Sequence, residues 1–595
     1  MNIPQRIAAL RASMKQRGID AYIIPSSDPH QSEYVADRWK GREWVSGFDG
    51  SAGTVVITAD FGGLWTDARY FLEAETLLKG SGILLQKLTV QGMPEENNWL
   101  VANLSAGSTV AIDGQNFSIT QVEGIKKTFG ERLHLVTDAD LLDPIWAERP
   151  ALPTTSVFEH DVKYTGRTRA EKLADVRAKM TEVGCNTHLV SSCDDIAWML
   201  NMRGSDVESN PLGIAYAVVK TDAVVLFINK DKVPDAFRKR LAADGVSLAP
   251  YDAIADYLGA LGADDKLLID KDIANQYLFG RLSETAEYKF GSTPARHLKA
   301  IKNATELGHI RRSMSKDGAA LVRAMMWLEA TLPTRTVSEV ELAAKIAECR
   351  AAMPLYFCES FNAIIGYQSN GASMHYHPKA ATCADIKNEG ILLMDSGGQY
   401  LDGTTDITRT VALSTPTAQQ KLHYTLVLKG HIALAMQRFP AGTRGVQLDT
   451  LARMALWQHG LNYGHGTGHG VGFFLNVHEP PQGFQPALGE RGKAVQEVGM
   501  FSSNEPGFYL NGEYGIRIEN LVVCTLDEKT DFGQFLRFET VTLFPIDTTL
   551  IDRSLLGRAE RKWFNDYHRQ TYRGIAPLLK TPEEKAWLKA KCSSI

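Results

Sequence analysis

The chain carries no large charge excess. Among 595 residues, 64 lysines and arginines face 69 aspartates and glutamates, a formal net charge of -5. Without a basic footprint, nucleic acid is excluded as an expected partner. No run of about eighteen apolar residues exists, so no segment is expected to span a membrane. The first residues, MNIPQRIAALRASMKQRG, are charged throughout and lack the apolar core and small-residue cleavage site of a secretory signal. Cysteine is sparse. Seven are scattered with no C-x-x-C pair, which excludes a disulfide framework and a zinc knuckle and fits reduced thiols. Low-complexity sequence is lacking too. A composition of 44% hydrophobic and 22% charged residues then points to a soluble cytoplasmic protein. Its length is too great for one core.

Periodicity divides the chain. Ile7, Leu10 and Met14 lie at helical spacing, Gly18 can end that helix, and AYIIP (21–25) reads as a buried strand. TVVIT (54–58) and GGLWTD (62–67) predict a hairpin, YFLEAETLL a helix, and TVAID (109–113) a further strand. Pro144, Pro150 and Pro153 mark a boundary near residue 155. A second α/β unit then repeats the first: RASMKQRG (11–18) aligns without gaps with RAKMTEVG (177–184), and each runs into an apolar strand. AYAVVKTDAVVLFIN (215–229) predicts a hairpin turning at Thr221-Asp222. Past residue 300 a long helix is expected from Ala304 to Leu332, stopped by Pro333. Another should start in a reciprocal capping box, Ser338-x-x-Glu341. From Pro354 to Pro545 strands and glycine turns are expected to dominate, before a basic, aromatic helical tail. The segments are 1–155, 156–300, 301–545 and 546–595.

Four acids sit where acids are costly. ILLMDSG (391–397) reads as a buried strand ending in Asp395, and Asp406 follows in the β-rich run GTTDITRTVAL. Either alone also fits a turn cap in a glycine-rich hairpin. A turn at Asp402-Gly403 would not pair the two, so a bulge or longer loop is expected there. MFSSNEPGFYLNGEYGIRIENLVV (500–523) is more telling. If Gly512 is the centre of its hairpin, Glu505 faces Glu519. Like charges opposite each other on a sheet are destabilising, unless a cation or a shared proton lies between them.

GHGTGHGVGFFLNVHEPP (464–481) adds His465, His469 and His478. Interleaved glycines rule out the helical H-x-x-x-H face of a zinc protease. In an extended chain, positions four apart share a face, so His465 and His469 can look into one site. Four carboxylates balance two divalent cations, which at roughly 3.5–4 Å separation form a hydrolytic clamp. Mostly oxygen donors with one imidazole suit Mn²⁺, with Zn²⁺ or Co²⁺ also compatible.

These residues resemble the pita-bread dinuclear metallopeptidases, which include methionine aminopeptidase, prolidase and Xaa-Pro aminopeptidase. Asp395, Asp406, His469, Glu505 and Glu519 match that family's five metal ligands in order and type, within MDSGGQYLDGTTDITRT, HGTGHGVG, VHE, SNEPGFY and IRIEN. SEYVADRWKGREWVSGFDGSAGTVVIT (32–58) and the WFNDYH tail are similar to the long, three-domain aminopeptidase P group. The resemblance implies an α/β and α+β chain: two related N-terminal α/β, creatinase-like domains, a C-terminal pita-bread catalytic domain, and a helical extension. It implies that Asp395 binds one metal, that His469 and Glu505 hold the second, and that Asp406 and Glu519 bridge both. Glu505 would also exchange protons with a bridging water. His375, in GASMHYHP, would line the substrate site, His465 would stand near the proline pocket, and His478 would contact substrate and shuttle protons. Arg517 would orient a carboxylate and Tyr509 would flank the substrate site.

The activity so implied is hydrolysis, by a metal-bridged hydroxide, of the bond between an N-terminal residue and a following proline. Proline-containing peptides would be the partners and a homodimer the assembly. One rival is a prolidase acting on Xaa-Pro dipeptides. A non-enzymatic peptide-binding module on this fold, or a metal-free hydrolase resembling creatinase, would lack some of the five ligands. The N-terminal domains carry no chemistry of their own. Trp44, Phe48 and Trp65 are read as core, the alternative being that Arg42 or Trp44 reaches a neighbouring subunit's site.

Overall fold

The computed structural model describes residues 1–89 and 93–595. Its contacts divide the chain into two units, one comprising 1–161 and 167–296, the other 162–166 and 297–595.

The first unit contains the same fold twice. Six strands, Ala21–Ile24, Thr54–Thr58, Gly62–Thr66, Leu84–Lys87, Thr109–Ala111 and His134–Val136, form one sheet. Six more, Thr187–Val190, Tyr216–Lys220, Val224–Phe227, Val246–Ala249, Lys266–Ile269 and Glu287–Phe290, form another. In both, the order across the sheet is fourth, third, second, first, fifth, sixth. The first three strands pair antiparallel and every other pairing is parallel, again in both. The preceding helices match in detail. Ile3–Gln16 starts in a capping box of Asn2 with Gln5 and buries Ile7, Leu10 and Met14. Arg169–Glu182 starts in a box of Thr168 with Glu171 and buries Leu173, Val176 and Met180. Each is followed by a glycine at positive φ, Gly18 at 65° and Gly184 at 76°, where a side chain would be strained. The hairpins form as the alternation predicts, with Val219 opposite Val224 around Thr221-Asp222.

Trp44, Phe48 and Trp65 are core residues. Trp44 stacks on Trp146 at 5.0 Å, and buried Arg42 bonds Ser26 and the Gly50 carbonyl. Both side chains pack within their own unit, in line with the core reading.

In the second unit, Ala304–Thr331 is the expected long helix, capped by Asn303. Glu339–Ala351 follows, but its capping box is only half formed. Ser338 accepts from the Glu341 N–H, whereas the Glu341 carboxylate turns away to a bidentate pair with Arg335 at 2.6 and 2.9 Å. A charged, forked partner outcompetes a single backbone N–H. Strands dominate 354–545 as expected, but helices Ala418–Ala435 and Gly445–Trp457 also stand in that span, which the sequence reading did not include. The first is buried on nearly every side and so shows no amphipathic period. Its capping box, Thr417 with Gln420, was the available signal. The helices back a six-stranded sheet ordered Arg438–Pro440, Gly533–Thr540, Asn520–Thr530, Phe501–Asn504, Gly468–Gly470, Glu479–Phe484. A three-stranded sheet has Ile391–Ser396 at its centre, between Ile364–Tyr367 and Ile407–Ala412.

Candidate metal centre

Two hairpins present the acids. In the first, Asp395 pairs with Thr408 and Ser396 with Ile407, and the same register continues to Gln399–Thr404 and Tyr400–Gly403. The turn is therefore Leu401-Asp402, one residue earlier than supposed, and no bulge is needed. One step beyond the Ser396–Ile407 pair, Asp406 stands opposite Gly397, two residues from Asp395. With a side-chain period of two, that makes the aspartates diagonal neighbours on one face. In the second hairpin, Asn504 pairs with Asn520 and Gly507 with Arg517. Gly512, at φ 78°, is the centre. Glu505 and Glu519 hold the equidistant positions between those pairs.

His469 comes from the strand Gly468–Gly470, between Phe501–Asn504 and Glu479–Phe484. Its glycine neighbours permit close approach: a Cβ on Gly468 would lie 2.0 Å from the Ser503 carbonyl oxygen, and one on Gly470 2.2 Å from that of Glu479. His469 Nδ1 lies 2.9 Å from the Gly470 carbonyl oxygen. A carbonyl can only accept, so Nδ1 carries the hydrogen and Nε2 presents its lone pair when the ring is neutral. That Nε2 stands 3.5 Å from Asp406 Oδ2 and 3.4 Å from Glu505 Oε1. Asp406, His469 and Glu519 offer donor atoms that all lie within 4.8 Å of one another.

The electrostatics ask for a cation. Asp395, Asp406 and Glu519 are buried, and Asp395 Oδ1 and Glu519 Oε1 have no hydrogen-bond partner among the described residues. Burial, then repulsion from Glu519, Asp395 and Glu505, holds the Asp406 carboxyl well above the usual range. Glu519 is raised in the same way, by burial and then by Glu505 and Asp395. Burial pushes Glu505 up to about 7, with Arg517 pulling against it. Buried anions with bare oxygens, gathered round an imidazole lone pair, are what divalent ions satisfy. The residues present fit such ions.

Arg517 offsets one charge, donating to Asp395 Oδ2 at 2.6 Å, to the Tyr509 hydroxyl at 2.6 Å and to Thr408 Oγ1 at 3.1 Å. The Tyr509 hydroxyl lies 2.8 Å from His465 Nε2, while His465 Nδ1 faces the Gly466 carbonyl at 2.7 Å. One chain of hydrogen bonds thus runs from Asp395 through Arg517 and Tyr509 to His465. His478 sets its ring edge-on to His469 at 4.2 Å. His375 lies half-buried just beyond the 3-10 turn Gln368–Ala372. Of the three histidines in the glycine-rich stretch, only His469 joins the acids as a donor.

Some supporting residues carry no warning in the sequence. The Thr408 hydroxyl donates to Glu519 Oε2 at 2.8 Å. Asp449 and Arg453, an i,i+4 pair on one helix, hold the histidine loop through Thr467 Oγ1 at 2.7 Å and the His465 carbonyl at 2.7 Å. Arg409 is fully buried and donates to the carbonyls of Thr408, Glu519, Phe544 and Pro545, to Asn520 Oδ1 and to the Tyr567 hydroxyl. Only the i,i+4 spacing of Asp449 and Arg453 is visible beforehand.

Comparison with known proteins gives a consistent picture. Residues 6–144 and 148–306 each match the family described as Creatinase/Prolidase N-terminal domain. Residues 308–526 match Metallopeptidase family M24, and 534–595 match the C-terminal region of peptidase_M24. "Probable Xaa-Pro aminopeptidase P" of Laccaria bicolor is 42% identical, over 100% of this chain and 94% of its own. "Aminopeptidase P2" of Arabidopsis thaliana is 39% identical over 98% and 88%. The crystal structure of an X-prolyl aminopeptidase from Caenorhabditis elegans, described as "a cytosolic enzyme with a di-nuclear active site", covers 100% of both chains with a TM-score of 0.94 and 33% identity. A Bacillus anthracis Xaa-Pro dipeptidase shares the fold over 64% of this chain, with a TM-score of 0.51 and 22% identity.

Proposed function

Because the chain belongs to metallopeptidase family M24 and, over its whole length, to the Xaa-Pro aminopeptidase P group, we propose a division of labour among its site residues. The chain is a metalloexopeptidase that removes the residue ahead of a penultimate proline, and its cofactor is a pair of divalent ions. Asp395, Asp406, His469, Glu505 and Glu519 would hold them. The observation that carries this assignment is the close set of Asp406, His469 and Glu519 donors, with bare carboxylate oxygens beside it. When bound, such ions supply Lewis acidity toward water and the scissile carbonyl. Mostly carboxylate donors favour Mn²⁺, which elemental analysis of the purified protein would test.

The bond before proline is a tertiary amide whose nitrogen has no hydrogen, so it must be protonated before it departs. Glu505 is the acid placed to handle that proton. Its side chain is 18% exposed, against 5% for Asp406 and 9% for Asp395, so it alone borders the open side. His478, half-buried beside His469, shuttles the proton onward, and His375 donates to the carbonyl oxygen as charge develops there. Arg517 holds the Asp395 carboxylate in place, and through Tyr509 fixes His465 beside the proline ring.

Replacing His478 with glutamine is expected to lower kcat by about 10²-fold, with metal content and KM little changed. An unaltered kcat would remove it from the reaction. An Xaa-Pro-Xaa tripeptide is expected to be cleaved at least about tenfold more efficiently than the Xaa-Pro dipeptide, read as kcat/KM. The reverse order would favour a prolidase. No helix among the described residues is long and apolar enough to cross a membrane, and the nematode relative is described as cytosolic. That description supports a cytoplasmic location. Dimer assembly is part of the proposal and is tested by sedimentation.

A further inference from the structure

Glu339, the first residue of the helix Glu339–Ala351, has no solvent exposure. A buried carboxylate costs several kcal/mol unless its oxygens are satisfied, and among the described residues no lysine, arginine or histidine forms an ion pair with this one. Hydrogen bonds take that place. Oε1 accepts from the Tyr367 N–H at 2.8 Å and Asn370 Nδ2 at 3.0 Å. Oε2 accepts from Asn370 Nδ2 at 3.1 Å, the Tyr376 hydroxyl at 2.8 Å and the Ala384 N–H at 2.8 Å.

All these donors belong to one stretch, 367–384, and they include both of its ends. Next to Glu339, Ser338 pairs with Asp385 and Val337 with Ile386. The Glu339 N–H also returns a bond of 3.1 Å to the Ala384 carbonyl. The stretch leaves the strand Ile364–Tyr367, in which Ile364 pairs with Asp395. Its 3-10 turn rests on the hairpin that carries Tyr509 and Arg517, so closely that a Cβ on Gly515 would lie 1.7 Å from the Gly371 carbonyl oxygen. Tyr376, whose hydroxyl reaches the carboxylate, is flanked by His375 and His377.

We propose that Glu339 is a positioning residue for the reaction: a buried anion that gathers segment 368–384 against the catalytic hairpins and so fixes where His375 meets the substrate. The last clause rests on the role given to His375 above; the clamp itself rests on the hydrogen bonds. Charge suits the task better than an amide would. A carboxylate accepts at both oxygens, whereas glutamine must turn an NH₂ group toward donors on one side. The segment would then loosen from either Tyr367 or Ala384, and misplacement of about 1 Å at a reacting group costs on the order of 10²-fold.

The experiment compares Glu339→Gln, Tyr376→Phe, their double variant and His375→Ala in the metal-loaded, full-length enzyme. For Glu339→Gln, kcat is expected to fall about 10- to 100-fold with metal content unchanged, and trypsin should cut after Lys379 at least about tenfold faster. Tyr376→Phe is the milder variant, which keeps the test usable if Glu339→Gln folds poorly. It should shift both readings the same way by less, and the double variant should be no worse than Glu339→Gln alone, as expected of residues acting through one contact. Wild-type trypsin resistance in Glu339→Gln, or additive losses in the double variant, would overturn the clamp. Normal turnover by His375→Ala together with faster cleavage after Lys379 in Glu339→Gln would instead overturn the role of His375 and leave the clamp standing.

Discussion

Glu505→Gln is expected to lower kcat for an Xaa-Pro-Xaa peptide by about 10²–10⁴-fold, the range for losing a general acid or base, while both metals stay bound. Glutamine keeps an oxygen where the carboxylate had one, so the donor set survives and only the exchangeable proton is lost. The same change removes one of four mutually repelling acids. Glu505 helps hold both Asp406 and Glu519 above their ordinary range, so the metal-free variant should melt higher than metal-free wild type at pH 8. Turnover within tenfold of wild type would assign the proton to another group. A lower melting point of the metal-free variant would mean that the acids do not strain one another as their spacing indicates.

Exhaustive chelation should abolish activity, and Mn²⁺ should restore it. It should also destabilise the protein, by an amount that depends on pH. In the metal-free fold, Asp406, Glu505 and Glu519 all bind protons more tightly than an unfolded chain would. A folded state that holds extra protons loses stability as pH rises through the window between the unfolded and folded values. For Glu505 that window runs from the ordinary carboxylate range to about 7. At pH 8, above the Glu505 window, the metal-free fold bears more of the repulsion than at pH 5.5, where protons relieve part of it. Bound cations do that work at either pH. The gap in Tm between loaded and stripped enzyme should therefore be roughly 5 °C or more at pH 8 and narrower at pH 5.5. Equal gaps, or unchanged rates after chelation, would sink the charge argument.

Where one residue type has one physical job, the sequence was readable. Gly512 needs positive φ, so the sequence alone locates a hairpin centre there and places Glu505 opposite Glu519. The spacing of Ile7, Leu10 and Met14 recurs in Leu173, Val176 and Met180, and the duplication extends from that pattern to identical strand orders. Where context decides, it was not readable. Glycine and aspartate suit either of two adjacent turn positions, so Leu401-Asp402 was missed by one residue. The helix Ala418–Ala435, buried nearly all round, hid its period. Thr408 and Arg409 look like ordinary strand residues until Glu519 and the tail arrive from over a hundred positions away. The place of His375 depends on Glu339, which the sequence presents as one more acid at a helix start.

Arg409 also sets a timetable. The strand that carries it leaves the ribosome long before Phe544, Pro545 and Tyr567, three of the partners that satisfy its guanidinium. Without them, a cation beside the Glu519 backbone would lack three of its six acceptors, and buried charge left short of partners is costly. Domains otherwise mature in the order of translation. Here residues 544–567 supply acceptors to a guanidinium that also bonds the Glu519 carbonyl, so the tail is part of the scaffold that holds the hydrolytic centre.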